Sequence, residues 1–147
     1  VINNENDATK SLNERITVES ISNIDVSGDM IYLPAILTEE QEENPFSSET
    51  REYPVDFAMP IFDKYIINIA IPEGYQVEEL PQAAKVVLPD NAASFVYQAQ
   101  LVGNNIQIIS QRKIDKTLFL PQEYHLLREL YRHIIAKYGE QIVLKRI

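Results

Sequence analysis

The chain holds few side chains of the kinds that perform chemistry, and their spacing does not suit a catalytic site. Its only histidines, His125 and His133, are eight residues apart on one predicted helix, which is too far for a shared metal ion. His125 and Glu129 have the closer i, i+4 spacing, but two ligands make only half a metal site, and such polar pairs are common on solvated helix faces. The chain has no cysteine and no G-x-S-x-G motif, so neither a cysteine nucleophile nor a serine nucleophile elbow is present.

Carboxylates are concentrated in one place, the run from Glu39 to Glu43. Two carboxylates in a cleft would suit glycoside hydrolysis, and spaced oxygen ligands with a glycine turn would suit calcium. The run is continuous and has no glycine, which is typical of a solvated loop, and whether the loop 39–43 binds a cation stays open. The four glycines lie far apart, so no phosphate-binding loop is present. We therefore expect no catalytic residue, no cofactor and no metal ligand.

The charge of the chain is −9 in total and is unevenly distributed. Residues 1–63 hold 14 acidic and 3 basic side chains, whereas residues 64–147 hold 8 acidic and 10 basic ones. Because no basic stripe dominates a face, nucleic acid is not an expected partner. The acidic half could meet a basic partner or a cation, or it could serve solubility alone. No apolar stretch approaches the roughly 20 residues that a transmembrane helix needs.

Alternating apolar residues predict about eight short strands. Residues 15–20 alternate as in a half-buried strand. Residues 65–71 (YIINIAI) form the clearest strand, and their partly apolar second face indicates a place in the middle of a sheet. Residues 94–102 and 106–114 flank Gly103–Asn104–Asn105, which predicts a β-hairpin because glycine and asparagine readily adopt positive φ.

The hydrophobic period then changes to that of a helix. Apolar side chains recur at helical spacing over residues 121–138, with Pro121 suited to the first turn and Gly139 suited to the stop. A final short strand follows at residues 141–144. The fold class predicted is mainly β: an antiparallel two-sheet β-sandwich with one C-terminal amphipathic helix and a last short strand.

Two further expectations concern the domain bounds and the aromatic residues. Residues 1–11 are polar and predict a flexible linker, which leaves residues 12–147 as a single accessory domain. The chain has eight tyrosines and no tryptophan. Most tyrosines fall on apolar faces and are expected in the core, whereas Tyr53, Tyr75 and Tyr124 are freer and could include a surface contact.

Four local patterns together resemble one known family: GDMIYL (28–33), ENPFSSETREYPVDF (43–57), IPEGYQVEELP (71–81) and EYHLLRELYRHIIAKYGEQIVLK (123–145). They look like the C-terminal domain of unknown function that follows a transglutaminase-like core in multidomain proteins exported by Gram-negative bacteria. The resemblance covers about residues 28–147, and the preceding residues match less clearly. It implies a periplasmic, cell-surface or secreted location and an upstream transglutaminase-like domain of the same polypeptide as partner.

The matching residues look structural. The chemistry of the neighbouring core would rest on a Cys–His–Asp arrangement, and no catalytic residue carries over because this chain has no cysteine. Asn44 and Pro45 are expected to set a turn that Phe46 anchors. Arg51 is either buried against a carboxylate or backbone carbonyls or is an exposed charge. With Tyr53 and Tyr75, it completes the set of candidate interaction residues.

Two functions are compatible with these observations, and a third, hydrolysis, is not supported by them. The resemblance implies a non-catalytic accessory domain that packs on, or positions, a transglutaminase-like core of the peptidase or amidase kind. The alternative is an independent module that binds a glycan or protein at the cell surface. A hydrolase would require convergent acids or histidines that the sequence does not supply. We therefore expect a protein that is not an enzyme in its own right.

Overall fold

A computed structural model describes residues 10–19, 24–37 and 43–147. Ten strands and one α-helix follow in chain order: β1 Asp25–Ser27, β2 Met30–Pro34, β3 Val55–Asp56, β4 Ile61–Ala70, β5 Tyr75–Glu79, β6 Ala84–Val87, β7 Ala93–Val102, β8 Asn105–Ile114, β9 Leu118–Phe119, α1 Tyr124–Tyr138 and β10 Gln141–Arg146. The predicted fold class is confirmed: the chain is mainly β, its sheets are antiparallel, and a C-terminal helix precedes the last strand.

The strands form two four-stranded sheets and one small ribbon. Sheet I has the order β1-β2-β10-β5, sheet II has the order β4-β8-β7-β6, and β3 pairs with β9. Every pairing is antiparallel. Since the last strand, β10, lies between β2 and β5, sheet I joins the beginning, the middle and the end of the chain.

The predicted hairpin is confirmed as the centre of sheet II. β7 and β8 pair over their whole length, from Ala93 opposite Ile114 to Val102 opposite Asn105. Gly103 occupies the turn with φ 61°, a left-handed conformation that glycine adopts without steric cost. This local turn sets the register, and the register places alternate side chains of both strands on the same face.

β4 is an edge strand, although the sequence predicted a central one. It pairs with β8 on one side, and the strand order ends there. Phe62 and Ile66 on its second face are 54% and 55% exposed. The prediction took a partly apolar second face to mean burial, but no other described element covers that face.

The strand predicted at residues 15–20 is wrong over the described positions. Residues 15–19 have no regular structure, and Ser20 lies outside the described residues. Ile16 and Val18 are 77% and 66% exposed. An alternating pattern becomes a strand only where a neighbour supplies hydrogen bonds and an apolar surface, and no described strand pairs with this segment.

The helix follows the predicted bounds, with a 3₁₀ turn at Pro121–Glu123 leading into α1. Glu123 accepts a hydrogen bond from the backbone N–H of Leu120 at 3.0 Å, which satisfies a donor that the helix start leaves open. In the described ranges no helix is long and apolar enough to cross a membrane.

One core joins α1 to the inner faces of both sheets. Its fully buried members include residues of β7, β8, α1 and β10: Phe95, Tyr97, Ile106, Ile108, Leu127, Leu130, Ile134, Ile142 and Leu144. The hydroxyl of Tyr97 donates a hydrogen bond to the carbonyl of Ala35 at 2.7 Å, and burial raises the pKa of this phenol. The bond ties sheet II to the segment that follows β2.

Candidate interaction surface

The loop that contains Arg51 contacts helix α1 through two of its first residues, Asn44 and Phe46. Asn44 Nδ2 donates to the carbonyl of Arg128 at 3.1 Å, and Asn44 Oδ1 accepts from the backbone N–H of Phe46 at 2.9 Å. Phe46 is 7% exposed and meets the ring of Tyr131 edge-on, with centroids 4.9 Å apart. The predicted turn and anchor are therefore confirmed.

Arg51 is exposed, and its guanidinium lies 5.9 Å from the ring centroid of Tyr124 at the start of α1. Of the two predicted alternatives, the exposed charge is thus the correct one. A shallow cleft of about 350 Å³ opens between this loop and the helix start, lined by Glu49, Thr50, Arg51, Pro121, Gln122, Tyr124 and His125. One cation over an aromatic ring can orient an anionic group, but the cleft contains no base paired with a nucleophile.

The other two predicted interaction residues lie apart from each other. Tyr53 is 76% exposed on the same loop as Arg51. Tyr75 is half-buried at the start of β5 in sheet I, with the guanidinium carbon of Arg146 5.9 Å from its ring centroid. The structure thus brings Arg51 and Tyr53 onto one loop and places Tyr75 on a different element. Tyr124, also expected to be free, is only 3% exposed because it packs edge-on against Phe46, with ring centroids 5.9 Å apart.

Several ionisable groups of the helix are engaged in local pairs. Nδ1 of His125 lies 2.9 Å from the carbonyl oxygen of Gln122, and Glu129 pairs with Arg132 at 2.6 Å. That hydrogen bond lowers the pKa of Glu129, which fits a surface ion pair. No group of three or more metal-ligating side chains occurs among the residues that the structure describes. Residues 39–42 of the acidic loop lie outside them, so the cation question concerns that undescribed stretch.

The outer face of sheet II was not predicted as a surface of interest. We use this name for the outward side chains of its four strands, which the register aligns in five rows: Phe62, Lys113, Ser94 and Val87; Lys64, Gln111, Val96 and Lys85; Ile66, Ile109 and Gln98; Asn68, Gln107 and Gln100; Ala70, Asn105 and Val102. The face carries three lysines, several amides and a group of apolar side chains. Neither aspartate nor glutamate occurs on it.

Three amides cross this face in a hydrogen-bonded row. Nε2 of Gln100 donates to Oε1 of Gln107 at 3.1 Å, and Nε2 of Gln107 donates to Oδ1 of Asn68 at 3.2 Å. Apolar side chains lie in the adjacent row, where Ile66 is directly opposite Ile109. The signal for this face was present in the second, partly apolar face of β4, but only the cross-strand register shows which residues join it.

Comparisons with known proteins give a family and a fold. The model of a family described as a domain of unknown function with a solved structure, DUF3858, matches residues 29–144. No curated protein is similar enough in sequence to count as a relative. The crystal structure of a "putative protease" from Parabacteroides distasonis ATCC 8503 has a similar fold, with a TM-score of 0.63 and 14% sequence identity. The match covers 79% of this chain and spans only 23% of that longer protein.

Proposed function

Since the chain belongs to the DUF3858 family, whose fold recurs within a longer protein, we propose that it is a non-catalytic accessory domain of a larger transglutaminase-like protein. In this proposal the domain packs on the catalytic core, of the peptidase or amidase kind, and helps to position it. The parent would be an exported protein of the periplasm or cell surface, as the resemblance of residues 28–147 implies.

One observation carries the proposal: the solved protein with this fold devotes only 23% of its chain to the matching part. A fold embedded in a longer polypeptide has neighbouring domains, and interfaces between domains of one chain commonly bury about 600–1,500 Å². The outer face of sheet II supports the same conclusion because exposed apolar groups rimmed by polar residues are typical of contact surfaces.

The experiment is a binding titration of this chain against the separately expressed upstream region of its parent protein. Isothermal calorimetry should show saturable binding with a stoichiometry of about one, as expected for two parts of one polypeptide. A linked domain binds at an effective concentration in the millimolar range, so the titration should extend to high micromolar concentrations. Absence of binding there, with both components monodisperse, would refute the proposal.

A second function, an independent glycan- or protein-binding module, is favoured by one feature. Tyr53 is 76% exposed on the same loop as Arg51, and exposed tyrosines are enriched at binding sites. This module would bind a glycan or peptide array, and Tyr53→Ala would remove that binding. An array without signal, together with saturable binding to the upstream region, would leave only the first function.

A further inference from the structure

We propose that the outer face of sheet II is the docking surface of this domain, and that its partner is a folded protein domain whose contact patch combines acidic and apolar side chains. The inference rests on the accessory function proposed above and adds the face and the chemistry of the partner. Four features of the described residues carry it: the charge of the face, its exposed apolar side chains, its ordered amides and the disposition of its lysines.

The charge of the face is opposite to that of the chain. The protein as a whole carries a net charge of −9, yet none of the outward side chains of the four strands is acidic. Lys64 and Lys85 lie in the same cross-strand row, one on each edge strand, on either side of Gln111 and Val96. Lys113 is paired with Asp115 beyond the strand end at 2.8 Å. Carboxylates of a partner would complement Lys64 and Lys85.

Several apolar side chains of the face are exposed to solvent, so a partner that covered the face would bury them. Phe62, Ile66 and Val87 are 54%, 55% and 44% exposed, and Ile109 fills the space beside Ile66. Three strands of ten residues and the four-residue β6 offer a face roughly 30 Å long and about 10–15 Å wide. That size suits the central part of an ordinary interface, which covers about 800 Å² on each partner.

The amide row lowers the cost of forming such a contact. Asn68, Gln107 and Gln100 are already held by mutual hydrogen bonds, so less side-chain entropy is lost when a partner binds. The row gives the face polar groups that can pair with backbone or carboxylate oxygens. A surface whose only role was solubility would gain nothing from ordered amides beside the exposed side chain of Ile66.

A second copy of this chain is the less suitable occupant of the face. A two-fold dimer brings the same patch of both subunits together, which would place lysine-bearing rows against each other without a carboxylate to separate them. Lysines on the edge strands also oppose sheet extension, because charged side chains there discourage pairing with another strand. A separate acidic surface avoids both conflicts.

The test compares variants of the face with matched variants elsewhere in the same titration against the upstream region. Ile66→Glu and the double variant Lys64→Glu/Lys85→Glu should each weaken binding at least tenfold. The controls are Val26→Glu, an exposed apolar residue of sheet I, and Lys145→Glu, a lysine of sheet I that is 45% exposed. Both controls should bind within twofold of the wild-type chain, and all variants should unfold within a few degrees of it.

Salt dependence tests the acidic partner separately from the face. Wild-type affinity should fall as the salt concentration rises from 50 to 500 mM, and the double lysine variant should lose most of this dependence because its charges are reversed. If the wild-type chain binds and the face variants bind equally well, the docking surface is refuted while the accessory function stands. If the wild-type chain does not bind the upstream region, both are refuted.

Two further measurements use the full-length parent and the isolated chain. In the full-length parent, acylation of Lys64 and Lys85 should be at least tenfold slower than in the isolated chain, while Lys145 reacts equally in both. Equal labelling of all three lysines would overturn the assignment. Sedimentation of the isolated chain addresses the second copy: a dimer that Ile66→Glu dissociates would assign the face to self-association and refute an acidic partner.

Discussion

Replacing Leu130 with alanine tests the central feature of the fold, the packing of α1 against the sheets. Leu130 is 0% exposed and lies in the single core. The substitution removes three carbon atoms, a transfer loss of about 2.4 kcal/mol at 0.8 kcal/mol for each methylene. Residual cavity volume adds to this, so the expected loss in the free energy of unfolding is about 2–5 kcal/mol. Alanine is at least as good a helix former as leucine, so lost packing accounts for the change.

The assay is urea denaturation followed by far-ultraviolet circular dichroism, with the slope m compared between variants. An unchanged m with a lower midpoint would assign the loss to the native state. A loss of about 3 kcal/mol should lower Tm by roughly 6–12 °C in a domain of this size. Leu12→Ala is the matched control, because Leu12 is 59% exposed and should change stability by less than about 0.5 kcal/mol. A loss below about 0.5 kcal/mol for Leu130→Ala would refute the packing described for α1.

Three other predictions concern a buried hydrogen bond, the loop anchor and a surface ion pair. Tyr97→Phe leaves a buried carbonyl without its donor and should cost about 1–3 kcal/mol in urea denaturation, whereas Tyr53→Phe should cost nothing measurable. Phe46→Ala should cost about 3–5 kcal/mol and should make the loop at residues 47–54 more sensitive to limited proteolysis. The hydrogen bond from Lys116 lowers the pKa of Glu123 below its usual 4.5. Since the folded-state pKa is lowered, the stability from this pair is present above pH 4.5 and is lost as pH falls through the folded-state value.

Each of these has an outcome that would contradict it. A Tyr97→Phe variant as stable as the wild-type chain would mean that the hydrogen bond to Ala35 is not formed in solution. Unchanged proteolysis of Phe46→Ala would mean that the hydrogen bonds of Asn44 alone hold the loop. A carbon-detected NMR titration should place the pKa of Glu123 below the usual value and raise it in Lys116→Gln; a pKa that Lys116→Gln leaves unchanged would remove the ion pair as its cause.

The features predicted correctly from sequence are those that depend on neighbours in the chain. The hairpin follows from the conformational freedom of Gly103, and the helix follows from Pro121, its apolar spacing and Gly139. The Phe46 anchor follows from one aromatic residue inside a polar loop. In each case a few adjacent residues contain the cause, so a single sequence is enough to predict it.

The features predicted wrongly depend on what lies beside an element in space. Residues 65–71 have the composition of a central strand, but strand order is decided by all four strands together, and β4 lies at the edge. Residues 15–20 have the alternation of a strand, but the described part of the segment lacks a partner. Pattern alone cannot distinguish a side chain that is buried in the fold from one that is exposed for contact.

The same ambiguity explains why the outer face of sheet II was missed. Ile66 in β4 and Ile109 in β8 are 43 positions apart in the chain, and only the pairing of the two strands places them side by side. Isoleucine at a single exposed position is unremarkable. The exposure of Ile66 becomes informative because the register places it opposite a second isoleucine and next to a row of ordered amides. The strands of the same face also carry lysines and no outward carboxylate. The proposed docking surface is therefore a property of the sheet as a whole, and its test uses variants on more than one strand of that face that leave the core intact.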